Sequence, residues 1–195
     1  MSGLAERAHH QRPPATPGRR SHHTDRWIGG SNGSDGRIST PETIILGVAA
    51  SDAHVVANHL IAFQLRHLGY QVVNLGACTP VSDFVECAAA HPDVLAVVIG
   101  SINGHAVEDL TPLRAAKDQN LLPCPVIVGG NLSVGSTKTG RESEVLRALG
   151  ADHVLADIGE LVRLLEDLRA ARGRAATATR RIPAPRNHPE LTAVA

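Results

Sequence analysis

From residue 41 onward the sequence predicts a doubly wound α/β domain, with five parallel strands sandwiched between helices. Three observations carry that prediction. Short runs rich in β-branched residues, at 43–49, 70–76, 94–99, 125–128 and 152–156, alternate with helix-period segments at 54–68, 80–90, 106–119, 141–149 and 158–172. The chain is 43% apolar but only 2% aromatic, so its core must be built from Val, Ile, Leu and Ala, which suits strands buried on both faces. Glycine-rich or polar segments follow strands one, three and four, at 50–54, 100–104 and 129–131. With five strands and short connections the flavodoxin-like order 2-1-3-4-5 is favoured. That order brings those three segments to one rim, where open parallel sheets bind their ligands.

Each element has a local cause. Strand one ends at Gly47-Val48-Ala49, and the helix after it closes at Gly69. Its helical period sets Val56, Leu60, Phe63 or Gln64, and His67 near one stripe, with Ile61, Leu65 and Leu68 beside it. Strand two is Tyr70 to Gly76. The second helix has Pro80 and Asp83 in its first turn, both start signals. Strand three, Val94 to Ile99, is uninterrupted apolar sequence and turns through Gly100 to Gly104 into a helix over 106–119. Strand four, 125–128, leads into Gly129-Gly130-Asn131. Gly150 stops the fourth helix ahead of strand five.

The two ends read differently. Residues 1–40 hold Pro13-Pro14, Pro17-Gly18, Gly29-Gly30 and Ser31-Asn32-Gly33-Ser34, with too little periodic apolar sequence to offset the entropy of ordering, so a disordered extension is expected. Its pairs His9-His10 and His22-His23 lack fixed companion ligands, and Trp27 is the chain's single tryptophan. A second disordered tail is expected over 173–195, leaving 41–172 as the folded domain. Net charge is zero, with 19 basic and 19 acidic residues, which argues against nucleic-acid or membrane-surface binding. The three cysteines, Cys78, Cys87 and Cys124, form no CxxC pair and suit a reducing, cytoplasmic compartment. No apolar run reaches the approximately 18 residues of a membrane helix. Arg19-Arg20 lacks the apolar stretch of an export signal.

The chemistry concentrates after strand one, in Ser51-Asp52-Ala53-His54. No phosphate-cradling glycine pattern follows that strand, and a phosphate-receiver domain would need an aspartate where Gly100-Ser101 stands. Asp52 and His54 fit two descriptions: a helix cap beside a surface histidine, or a metal-ligating histidine oriented by a carboxylate. A zinc or iron centre wants three or four protein ligands, and no companion lies at a useful spacing. A single histidine suffices only where a macrocycle supplies the other ligands. The aromatic-poor surroundings do not suggest haem.

Ser51-Asp52-Ala53-His54-Val55-Val56-Ala57 resembles the D-x-H-x-x-G signature of cobalamin-binding domains, with Ala57 in place of the glycine. The family's S-x-L motif falls on Gly100-Ser101-Ile102, and its GG pair on Gly129-Gly130. TIILGVAASDAH, GYQVVNLG, the turn Gly104-His105 and VGGNLSVG are similar, in order and spacing, to the small (sigma) subunit of glutamate mutase over about residues 43–156. The resemblance implies adenosylcobalamin as cofactor, with His54 as lower axial ligand of cobalt and Asp52 hydrogen-bonded to it. It implies cofactor contacts at Ser51, Ala53, Val55, Gly100, Ser101, Ile102, Gly129, Gly130, Asn131, Leu132, Ser133, Val134 and Gly135. It further implies rearrangement of (S)-glutamate to 3-methylaspartate, with the substrate held in the barrel of a separate large (epsilon-type) subunit, in a heterotetramer. A stand-alone corrinoid carrier or B12-responsive regulator is the alternative within the same family.

Overall fold

The computed structural model describes residues 40–132 and 141–180. Five parallel strands, β1 (Thr43–Val48), β2 (Gln71–Gly76), β3 (Val94–Gly100), β4 (Val126–Gly129) and β5 (His153–Leu155), form one sheet in the order β2-β1-β3-β4-β5. This is the expected topology. Helices α1 (Val55–His67), α2 (Val81–Ala90), α3 (Ala106–Asp109), α4 (Leu113–Asp118), α5 (Arg141–Ala148) and α6 (Ile158–Arg180) connect and follow the strands.

Strand alternation divides the core between two faces. Ile45, Val97, Ile99 and Val128 point to one side, where Phe84, Leu110, Leu113 and Leu146 of the α2–α5 layer bury them. Ile44, Leu46, Val98 and Ile127 point to the other, covered by Ala62 and Leu65 of α1 and by Leu161 and Leu165 of α6. Burying a side chain of this size stabilises by about 1.5–3 kcal/mol, so both layers are tied to the sheet by aliphatic packing. Among the described residues no helix is long and apolar enough to cross a membrane.

Two expectations are corrected. The helix expected over 106–119 is two short helices, because Pro112 has no N–H to donate and its ring clashes with the preceding turn. The last helix does not stop at 172: it runs to Arg180, into the segment expected to be disordered. Ala and Arg favour helix strongly enough to carry Gly173, whose helical penalty is about 1 kcal/mol, and the next proline is Pro183.

Helix α1 turns only one of its two apolar stripes to the sheet. The side bearing Val56, Leu60 and Phe63 faces outward, and Phe63 is 70% exposed, its ring stacked on His67 with centroids 6.4 Å apart. Asn58, Ala62 and Leu65 turn to the sheet instead, with Ile61 partly buried beside them. Small Ala62 permits a close approach, and Asn58 hydrogen-bonds to Asn74 of β2. Residues 1–39, 133–140 and 181–195, including the paired histidines and Trp27, lie outside the described residues.

Candidate functional site

Four strand ends stand side by side. Val48 is in register with Gly100, Gly100 with Gly129, and Gly129 with Leu155, so the loops leaving β1, β3, β4 and β5 open along one line. Beneath them lies a solvent-open cleft, floored by Leu46, Val98 and Ile127 and walled by Ala57 and Ile61 of α1 and Leu161 of α6. Its mouth carries Asp52, His54, Gly100, Ser101, Ile102, Gly129 and Gly130.

Asp52 is 1% exposed, and its two carboxylate oxygens have separate tasks. Oδ2 accepts the backbone N–H groups of Ile102 at 2.6 Å and Asn103 at 3.2 Å. Oδ1 accepts the His54 amide at 3.0 Å and pairs with His54 Nδ1 at 2.5 Å. The Asp52 carbonyl takes the Cys78 amide at 3.0 Å. Burial pushes the carboxyl pKa up, but the hydrogen bonds from Ile102, the His54 ring, the His54 amide and Asn103 together hold it below the ordinary carboxylate value. An ionised carboxylate only accepts, so His54 Nδ1 carries the hydrogen between them, and in the neutral ring Nε2 is then the nitrogen with the free lone pair. The imidazole is 54% exposed, which leaves Nε2 available to a ligand.

Ser51 is held more completely still. Its N–H and its hydroxyl donate to Asp109 Oδ2 at 3.0 and 2.8 Å. Its carbonyl and hydroxyl oxygens accept from Asn103 Nδ2 at 3.1 and 2.9 Å. Asn103 Oδ1 accepts the Ser101 hydroxyl at 3.3 Å and the His105 amide at 3.0 Å. The loops after β1 and β3 are therefore one hydrogen-bonded unit.

Two further features mark the cleft as a ligand site. Asn58, 2% exposed, donates to Asn74 Oδ1 at 2.7 Å. That oxygen also accepts the Gly76 amide, so the orientation of the Asn58 amide is fixed, and its own Oδ1 is buried without a partner. Gly130 has φ +125°, and a Cβ there would sit 2.2 Å from the Ser101 carbonyl oxygen, so only glycine lets β4 leave the sheet this close to the loop after β3. Among the described residues no group of three or more His, Cys, Asp or Glu side chains could hold a metal by itself. The site offers one histidine, and a metal bound there needs its remaining ligands from elsewhere. A corrin-held cobalt fits that donor set, and the apolar cleft fits a long organic appendage.

Of the residues singled out from sequence, Asp52, His54, Gly100, Ser101, Ile102, Gly129 and Gly130 converge on the cleft. Ser51 joins through its hydrogen bonds. Ala53 and Val55 are exposed on the loop and at the start of α1, and Asn131 and Leu132 follow Gly130; none of these four lines the cleft. Ser133, Val134 and Gly135 lie outside the described residues. The helix-cap description of Asp52 is half right: His54 stands at the N-cap position of α1 without a side-chain cap, and Asp52 supports the His54 amide. Sequence reasoning missed Asn103 and Asp109, which no motif marks, and the α6 wall at Ile158 and Leu161, whose nearness follows from strand order alone.

A doubly wound sheet with one carboxylate-backed histidine over a long apolar cleft defines a cofactor-carrying domain rather than a protein-only metal centre. The chain belongs to the B12-binding domain family, whose sequence profile matches residues 42–165. It is 39% identical over 132 residues to glutamate mutase sigma subunit 1 of Haloarcula marismortui, covering 66% of this chain and 87% of that protein. It is 31% identical over 128 residues to the glutamate mutase sigma subunit of Treponema denticola, covering 65% and 91%. Among solved structures it shares its fold with a cobalamin-binding protein from Desulfitobacterium hafniense (TM-score 0.54, 20% identity, covering 66% of this chain and 59% of that one). The methanol:cobalamin methyltransferase complex MtaBC from Methanosarcina barkeri is similar in fold (TM-score 0.55, 19% identity, covering 70% and 50%).

Proposed function

We propose that this chain is the cobalamin-binding subunit of an adenosylcobalamin-dependent carbon-skeleton mutase of the glutamate mutase type. It would work in the cytoplasm, in a heterotetramer with a separate barrel subunit that holds (S)-glutamate. The observation that carries the reading is the Asp52–His54 pair at the mouth of an apolar cleft, in a chain whose relatives are named glutamate mutase sigma subunits.

His54 Nε2 would ligate the cobalt, and Asp52 would keep the ring in the ligating tautomer and raise its basicity. Gly100, Ser101, Ile102, Gly129 and Gly130 would flank the nucleotide tail as it enters the cleft. Ser51, Ala53, Val55, Asn131, Leu132, Ser133, Val134 and Gly135 are assigned as further cofactor contacts on the family resemblance alone. When bound, adenosylcobalamin supplies the one-electron chemistry of its cobalt–carbon bond. This chain's contribution is to bind, orient and shield. Substrate binding, and with it turnover, would fall to the barrel partner.

The test is to mix the protein with adenosylcobalamin, follow the absorbance change on binding, and record EPR after reduction to Co(II). Nitrogen coupling that vanishes in His54→Ala is the expected result. An unchanged spectrum in that variant would overturn the axial assignment.

A further inference from the structure

Resting on the reading of His54 as axial ligand, we propose that Asp109 and Asn103 are positioning residues that lock Ser51 and so set the loop 51–54 in its ligating geometry before any cofactor arrives. The pattern of contacts around Ser51 carries this. Every hydrogen-bonding group of Ser51, its N–H, its carbonyl and both functions of its hydroxyl, is taken by one of two side chains that lie 52 and 58 residues further along the chain.

Asp52 is held differently. Its Oδ2 sits on backbone amides of Ile102 and Asn103, which almost any residues at those positions would provide. The hold on Ser51 depends on the identities of Asn103 and Asp109. Asn103 is itself fixed, because its Oδ1 engages the His105 amide and the Ser101 hydroxyl, leaving its NH2 group to face Ser51. Asp109 closes the short helix α3, anchored by the neighbouring Leu110, which is 1% exposed. The clamp therefore stands on packed elements, while Ser51, Ala53 and His54 of the segment it holds are exposed around the buried Asp52.

A loop that must be ordered by its ligand subtracts the ordering cost from affinity, and a pre-ordered loop does not. Freeing one or two residues corresponds to about a tenfold loss in affinity. Asp109→Ala removes the acceptor of two bonds. Asp109→Asn keeps an oxygen for them.

The experiment uses the full chain in two states. In the ligand-free protein, hydrogen exchange at the Ser51 to His54 amides should accelerate about tenfold in Asp109→Ala, with the β1 amides unchanged. With cob(II)alamin, Asp109→Ala should bind about tenfold more weakly and show a mixture of nitrogen-coupled and uncoupled cobalt signals, and Asp109→Asn should restore the wild-type pattern. Ser51→Ala, which alters one exposed hydroxyl and so leaves folding undisturbed, should move the same readouts by about threefold. Wild-type exchange, affinity and coupling in both Asp109→Ala and Ser51→Ala would overturn the proposal. If Asp109→Ala does not fold, Ser51→Ala alone decides it by the same criteria. Absence of nitrogen coupling in the wild type would instead remove the reading of His54 as ligand, and the exchange measurement would still decide whether the clamp exists.

Discussion

Substituting the two adjacent glycines at the end of β4, Gly129 in the strand and Gly130 just past it, separates a structural constraint from a ligand constraint. In Gly130→Ala the new methyl would lie 2.2 Å from the Ser101 carbonyl oxygen and 2.9 Å from Ile102 Cγ2, so the loop after β3 must retreat by about 1 Å to reach ordinary contact. The backbone at φ +125° adds a strain of about 1–3 kcal/mol for a residue bearing Cβ. Retreat also stretches the 2.6 Å bond from the Ile102 amide to Asp52, a charge-assisted contact contributing about 1.5–3 kcal/mol. Because the loop shares the distortion, about 3 kcal/mol in total is expected, which lowers the melting temperature by about 10 °C in a domain of this size. In Gly129→Ala the methyl first meets the Leu155 carbonyl at 3.7 Å, an ordinary contact, so the melting temperature should hold within about 2 °C. That methyl does line the cleft, so cobalamin affinity should fall without loss of fold. Thermal unfolding followed by circular dichroism, paired with cobalamin titration, reads both effects. Equal melting temperatures for the two variants would refute the close-approach reasoning.

Four other expectations follow from the same contacts. Asp52→Asn keeps one acceptor but turns an NH2 group toward donors, and should weaken cobalamin binding by about 10- to 100-fold by spectroscopic titration; wild-type affinity would reduce Asp52 to a support for the start of α1. The folded-state pKa of Asp52 lies below its unfolded value, so its stabilising contribution is present above the ordinary carboxylate pKa of about 4 and is lost as pH falls through the depressed value. Protection factors of the 51–54 amides, which remove the intrinsic pH dependence of exchange, should therefore stay flat from neutrality to about pH 4 and fall below it, and a fall beginning near pH 6 would contradict the assignment. Ala57→Gly should widen the cleft and tighten cobalamin binding while lowering unfolding free energy in denaturant by about 1 kcal/mol, the cost of glycine inside a helix. Arg172 donates to the Asp93 and Val94 carbonyls and pairs with Glu42 at 2.9 Å. It is partly solvent-screened, so Arg172→Ala should cost about 1 kcal/mol, read as a melting temperature about 3 °C lower.

The sheet was legible in the sequence because its strands are short apolar runs between glycines, and such runs admit few alternatives. Val94 to Ile99 can hardly be anything but a central strand. The inward side of α1 was harder, because that helix carries two apolar stripes and periodicity alone does not say which is covered. The choice falls to Ala62 and Asn58, one through its size and the other through a hydrogen bond to Asn74, and neither scores as hydrophobic drive. The break at Pro112 was visible in principle, since proline inside an expected helix is a boundary signal. The extension of α6 past Gly173 reflects a modest glycine penalty set against good helix formers on both sides. Asp52 and His54 stood out by their spacing. Asn103 and Asp109 did not, because their significance lies in contacts across more than fifty residues, which no local pattern encodes.

Strand order explains why those contacts exist. Placing β1 between β2 and β3 sets the loop after β1 directly against the loop after β3, although 50 residues separate Asp52 from Ile102. An aspartate acting only as a helix cap would need one oxygen directed at amides of its own helix. Asp52 instead commits Oδ2 to the neighbouring loop, and Oδ1 is then constrained to the side where His54 stands. The direction of the imidazole is thus fixed by the contact between the two loops rather than by its own segment alone. Moving the histidine one residue either way would leave the carboxylate in place and remove its partner, and that is the physical content of the D-x-H spacing.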